Sequence, residues 1–167
     1  MIVSASSDFE SVTAFILHLA KVEVAVHAAA RHALDKAAQV IEKDAKGQLG
    51  HYQADAGPFN AWAELAESTQ RERERLGFAP NDPLERTQAL KNSISREVQG
   101  SEAVVGSTSD VMVWQELGTA KIPPRPVLGP AAFKNKDRIE AILGQAVMHA
   151  LEYGNSSGFV ALPGTTP

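Results

Sequence analysis

The feature that most limits how this chain folds is an apolar stripe running through its first third. Apolar residues recur at Phe9, Val12, Ile16, Leu19, Val22, Val26, Ala30, Ala33, Ala37 and Val40–Ile41. Steps of three and four place them on one side of a helix. Ser7-Asp8-Phe9-Glu10 reads as a capping box at its start, with hydroxyl and carboxylate each satisfying the other residue's amide. Gly47 and Gly50 supply a stop, so the pattern predicts a helix over about residues 7–46. Unbroken, it is on the order of 57 Å long, while a compact domain of this size has a radius of gyration of about 15 Å. Either the helix projects beyond its own domain, and a neighbouring subunit covers its apolar face, or it bends near His27–His32 and folds back on its own core.

Past residue 46 the pattern shortens. Residues 47–60 read as a loop, Ala61 to Leu76 as a short polar helix with Trp62, Leu65 and Leu76 as its apolar contacts, and Leu84 to Ile94 as another. Ile94–Val98 and Ala103–Val105 are β-like runs around a turn at Gln99-Gly100-Ser101-Glu102. Val111-Met112-Val113-Trp114 reads as a third strand, placing a small antiparallel sheet of three or four strands over about residues 94–117. Pro123, Pro124 and Pro126 then hold an extended arm over 119–130. Pro130 opens a final helix over about 130–152 in its first turn, where proline is tolerated. The order predicts a single α+β domain over residues 1–153, and 154–167 reads as a flexible tail.

Chemistry-bearing patterns are sparse. The chain has no cysteine, which excludes disulfides, thiol nucleophiles and thiolate metal sites. No phosphate-binding glycine loop or nucleophile elbow occurs. His18, His27 and His32 are nine and five residues apart, not the four that set two imidazoles on one metal. His51, with Asp55 four residues on, is the one place where a metal-dependent hydrolase could be built. Glu116 reads as a structural carboxylate, accepting from nearby backbone amides or from Arg125. No catalytic, metal or cofactor site is expected, and the chain is not expected to be an enzyme. The formal charge is −4, and Arg71, Arg73 and Arg75 alternate with glutamates, unlike the basic cluster of a tight DNA binder. The N-terminus lacks signal-peptide character, and no run approaches the roughly 20 apolar residues of a membrane span.

One stretch resembles a known family. It reads W-A-E-L-A-E-S-T-Q-R-E-R from Trp62, L-E-R-T-Q-A-L-K-N-S-I from Leu84, then V-V-G-S, V-W-Q-E-L-G-T, and P-P-R-P-V-L-G-P-A from Pro123. In order and spacing this is similar to the morphogenesis (neck and tail-completion) proteins of lambdoid long-tailed phages and the related Mu-like virion-morphogenesis family. Gln88 stands where that pattern has glycine, implying ordinary helical dihedrals there; Val111 and Val127 replace its aromatics. The resemblance implies a virion protein made in the host cytoplasm and placed at the head–tail connection. It further implies a homo-oligomeric ring, with six copies the natural count. Its partners would be other neck, connector and tail-tube proteins and double-stranded DNA passing the lumen unread, with no membrane. Trp114, Glu116, Gly118, Thr119, Pro123, Pro124, Arg125, Pro126 and Leu128 are the expected subunit-interface residues, with Arg125 binding a carboxylate across the contact; the alternative is that the arm caps its own sheet. The competing functional reading is a small helical DNA-associated or regulatory protein using Arg71–Arg75.

Overall fold

A computed structural model of the chain describes residues 11–153. The capping box at Ser7–Glu10 and the tail at 154–167 lie outside the described residues. The first helix, α1 (Val12–Gln48), is uninterrupted over 37 residues, so of the two alternatives it takes the continuous one, with no break near His27–His32. Ser11 is its N-cap, and the Ser11 hydroxyl accepts from the Ala14 amide at 3.2 Å. The remaining elements are α2 (Glu67–Arg75), α3 (Ala89–Ser93), β1 (Ile94–Gln99), β2 (Glu102–Ser107), α4 (Asp110–Leu117), α5 (Leu128–Lys134) and α6 (Lys136–Tyr153). The fold is mixed helix and antiparallel sheet, as the element order predicted.

The sheet has two strands, not three or four. β1 and β2 pair in antiparallel register from Ile94↔Ser107 to Gln99↔Glu102. Gly100, at φ +60°, takes the first central position of the two-residue turn, where a type II′ hairpin needs glycine. Ile94, Arg96, Val98, Ala103 and Val105 form the inner face against α1, while Ser95, Glu97 and Val104 are exposed.

The expected third strand is the helix α4. Its β-branched residues favour a strand, but a period of two would have put Met112, Trp114 and Glu116 on one side. The period of 3.6 instead groups Met112 with Gln115 and Glu116, and those are the residues turned inward. Ser109, with extended backbone, precedes Asp110 in the first turn, where a carboxylate favours the helix dipole. The sheet region therefore ends at Ser107.

The final helix also differs from expectation. It begins at Leu128 and breaks at Asn135, whose side-chain amide donates to the Ala131 carbonyl at 2.8 Å, so α5 and α6 are separate. Pro130 keeps its place in the first turn. α2 and α3 are shorter than predicted because residues before each are bonded to other segments, as with the Trp62 amide, which donates to the Gln53 carbonyl at 2.9 Å. Leu84 holds φ +61°, a genuine outlier for a branched residue, while half-burying its side chain on the core.

The core is small: Ala45, Leu49, Trp62, Ile94, Met112, Val127 and Ala131. α1 packs mainly on α6 and the hairpin. α6 runs antiparallel to α1: Arg138 shares a hollow with Gln39–Gly47, and Ile139 and Leu143 share one of about 250 Å³ with Leu34, Ala37 and Ile41. The buried contacts of α1 are Ala33, Ala37, Ala38, Ala45 and Gln48, all in its second half.

A charge cluster pins β1 to α1. Arg96 donates to Asp35 at 2.9 Å and to Glu42, and Lys46 also donates to Glu42. The bonds from Lys46 and then Arg96 hold the Glu42 carboxyl below 4.5, against the opposing effect of burial. Asp35, then Glu42, raise the Arg96 guanidinium above its ordinary value. A carboxyl with a depressed folded-state pKa binds fewer protons folded than unfolded, so its stabilisation is complete above the unfolded value and is lost as pH falls through the folded one. The Glu42→Gln variant is expected to melt below wild type at neutral pH, by about 1–2 kcal/mol. That gap should close as the pH drops below 4.5; a gap independent of pH would assign Glu42 a packing role instead.

Candidate assembly surface

Three of the five pieces of the motif stretch converge on one node. Glu116 reaches from α4 to the start of α5 and accepts from the amides of Val127 (2.7 Å), Leu128 (3.1 Å) and Gly129 (2.9 Å). These are among the donors a helix start leaves unpaired, and a carboxylate there also meets the positive end of the dipole. Trp62, 5% exposed, donates from its indole Nε1 to the Pro126 carbonyl at 2.9 Å. Arg125, also 5% exposed, donates from Nε to the Ala63 carbonyl and from Nη2 to the Glu64 carbonyl, both at 3.0 Å. Burial lowers the Arg125 pKa, with Tyr52 acting weakly the other way. The Arg125 amide donates to the Gln115 carbonyl at 2.6 Å.

Two expectations are corrected here. Arg125 is turned into its own subunit and donates to carbonyls, not to a carboxylate across an interface. Pro126 is likewise buried, so this part of the arm caps its own core. Glu116 takes the first of the two roles read for it, accepting from amides rather than from Arg125. Leu128 is half-buried and packs on the core. The arm is not extended throughout either: the Thr119 hydroxyl accepts from the amides of Lys121 and Ile122, closing residues 119–122 into a turn.

Gly118 ends α4 at φ +73°, ψ 176°, a region essentially reserved for glycine. An added Cβ would lie 3.0 Å from the Ile122 carbonyl oxygen and from the ring of Pro124. Gly118→Ala is therefore expected to cost about 2–4 kcal/mol, read as a lowered urea midpoint with unchanged slope. A variant as stable as wild type would show that this turn is not under constraint.

What remains on the surface is apolar. On α4, Val111 (41% exposed), Val113 (51%), Trp114 (50%) and Leu117 (76%) face outward, with Thr119, Pro123 and Pro124 exposed nearby in sequence. Of the predicted interface residues, Trp114, Thr119, Pro123 and Pro124 are thus exposed, Glu116, Gly118 and Leu128 are half-buried, and Arg125 and Pro126 are buried. Val111, Val113 and Leu117 were missed because a strand reading hides half of α4; Ser109-Asp110, a helix-start pair, was the available signal.

The larger surface is on α1. Val12 (75% exposed), Phe15 (43%), Ile16 (59%), Leu17 (58%), Leu19 (49%) and Val24 (70%) lie in its first half. An 18-residue window of this helix has mean hydropathy 1.5 and none of it is buried; by length and composition it could cross a membrane.

The residues of the competing readings are placed differently. Arg73 is buried and donates to the carbonyls of Ala79 (2.7 Å) and Glu85, which removes the middle of the Arg71–Arg75 contact. His51 is exposed, and no cluster able to hold a metal exists among the described residues. Comparison of the chain with family models, with characterised proteins and with solved structures returns no match.

Proposed function

We propose that this chain is a structural subunit of a phage head–tail connection, assembling as a ring around the DNA channel and joining tail to head without catalysis. The observation that carries the reading is the exposed apolar surface in the first half of α1. Val12, Ile16, Leu17, Leu19 and Val24 stand 49–75% exposed in water, and patches of that kind mark an interface on a soluble protein. The exposed face of α4 around Trp114 and Leu117 supplies a second contact surface. Trp is the residue type most often found at the energetic centre of an interface.

The assignment to the phage connection rests on the motif resemblance. Its support is that the motif's separate pieces act together: Trp62, Glu116, Gly118 and Arg125 jointly set the position of the arm and of α5. A node of that kind fixes the α4 surface as a rigid platform for a neighbour. DNA in the lumen would be passed and not gripped, in keeping with a net charge of −4.

Light scattering behind a sizing column, over a range of concentrations, tests the reading. A discrete mass of several 17.8 kDa subunits is expected. A strict monomer at every concentration that also fails to associate with purified phage tails would overturn it. Steep salt-dependent binding of the monomer to duplex DNA would favour the nucleic-acid alternative.

A further inference from the structure

We propose that residues 154–162 continue the path of α6 and lay Phe159–Leu162 as a strap along the apolar stripe in the first half of their own α1. The strap goes beyond the assembly reading above; only its effect on assembly rests on that reading.

α6 ends where α1 still has far to run. Ile139 and Leu143 share a hollow with Leu34, Ala37, Ala38 and Ile41, and the two helices run antiparallel. At 1.5 Å per residue in both, the end of α6 at Tyr153 comes level with about residue 26 of α1. Val12, Ile16, Leu19, Glu23, Val26, Ala30, Ala33 and Ala37 form one stripe, at steps of three and four. Beside α6 the stripe is alanine, and Ala33 and Ala37 are buried, as are Ala146 and Ala150 of α6. Past the end of α6 it turns to large side chains, with Val12 75%, Ile16 59% and Leu19 49% exposed. The cover therefore stops part-way along a stripe that continues.

The chain leaves α6 at that point, and its sequence matches the stripe in order. Gly154-Asn155-Ser156-Ser157-Gly158 precedes Phe159-Val160-Ala161-Leu162, and residues 154–167 include no Asp, Glu, Lys or Arg. Such a segment lies on an apolar surface without desolvating an ion. At up to about 3.3 Å per residue, Gly154–Gly158 spans about 17 Å, against about 15 Å along α1 from residue 26 to residue 16. Asn155–Ser157 thus passes Glu23, the one charge in the stripe, and Phe159–Leu162 comes level with Ile16 and Val12. Tethering favours the chain's own segment over a neighbour's, because its effective concentration is about millimolar. Ordering the segment offsets much of what burying Phe159, Val160 and Leu162 contributes, so the strap lifts readily. A neighbouring subunit competes for the same side chains, and the strap raises the concentration at which subunits join.

The chain has no cysteine, so thiols can be introduced against a silent background. Oxidised at low protein concentration, the Ile16→Cys/Val160→Cys variant is expected to close within one chain, seen as a faster-migrating monomer on a non-reducing gel. The Lys21→Cys/Val160→Cys variant has the same tether, but position 21 lies about 140° around the helix from position 16, and it is expected to close at least about tenfold more slowly. Phe159→Asp is expected to lower the concentration at which subunits assemble several-fold. Equal closing rates for the two pairs, or closure of neither, with wild type multimeric, would overturn the strap and leave the assembly reading standing. Covalent dimers in place of the closed monomer would assign the stripe to a second copy's segment and overturn the strap. Fast closure of the first pair, with wild type and Phe159→Asp both monomeric throughout, would support the strap and overturn the assembly reading. Flotation of the wild type with phosphatidylcholine–phosphatidylglycerol vesicles, abolished by Ile16→Asp, would assign the stripe to a lipid surface and overturn the strap.

Discussion

Glu116→Ala is expected to destabilise the subunit by about 3–5 kcal/mol, the combined effect of three charge-assisted bonds lost and three amides at the head of α5 left without their acceptor. Against a total stability of about 5–15 kcal/mol for a domain, that is a loss of about a third or more over most of the range, and at its low end it unfolds a large share of the molecules. The loss does not stay local. With its cap gone, α5 frays from Leu128, and the arm that carries Pro126 and Val127 loses its anchor. Pro126 is the acceptor for Trp62, and Val127 is fully buried. Glu116→Gln keeps one acceptor oxygen but sets an amide group where the second oxygen stood, and is expected to recover less than half of the loss. Urea melts of the three proteins measure this directly. A Glu116→Ala variant within about 0.5 kcal/mol of wild type, the range of an ordinary surface substitution, would remove Glu116 from the centre of the node.

Trp62→Ala is expected to have a comparable effect, about 4–5 kcal/mol, by a different route. The indole is 5% exposed inside a core otherwise built from alanines and a few medium side chains. Such a core has few large neighbours that could collapse into the space left, so the cavity term is close to its full value. The Pro126 carbonyl is also left without its donor. Trp62→Phe separates the two contributions: it fills most of the volume but cannot donate, and is expected to cost about 1–2 kcal/mol. Thermal unfolding followed by circular dichroism reads both. Equal losses for the Phe and Ala variants would mean that the hydrogen bond, not the packed volume, is what Trp62 contributes.

The two substitutions act on one structure, and this decides how the motif stretch is to be understood. Its pieces are strung over some seventy residues, yet Trp62, Glu116 and Arg125 all bear on the short run from Arg125 to Gly129. Of the positions expected to face a neighbour, Arg125 and Pro126 hold the subunit together instead. The exposed side chains of α4, Trp114 and Leu117 above all, are the ones available to the proposed assembly. Trp114→Ala should therefore be nearly silent in a melt of the monomer and visible in the assembled mass.

Much of the local structure was legible from the chain alone. α1 declared itself because a helical period sustained over more than thirty residues has no other regular solution. The hairpin declared itself because Gly100 sits where a two-residue turn demands a positive φ. Gln88, in place of a glycine, lies in the right-handed region at φ −69°, ψ −1°, as the N-cap of α3 and not within the helix. What the chain alone could not decide were the cases where local preference is weak or contradicted. Val111–Trp114 has the composition of a strand, and became a helix in which Met112, Gln115 and Glu116 turn inward together while Trp114 faces out, a grouping that only the helical period gives. Asn135 splits the last helix through a single side-chain bond to the Ala131 carbonyl, which no periodicity reveals. Arg125 carries a charge that ordinarily belongs at a surface, and only the tertiary fold sets the carbonyls of Ala63 and Glu64 where they can receive it. Periodicity thus determined the long helix α1 and the two paired strands, because it is a property of neighbours in sequence. Which polar side chains are spent inside the subunit, and which apolar ones stay at the surface, was decided by contacts between residues about ten to sixty positions apart, and those exist only once the chain has folded.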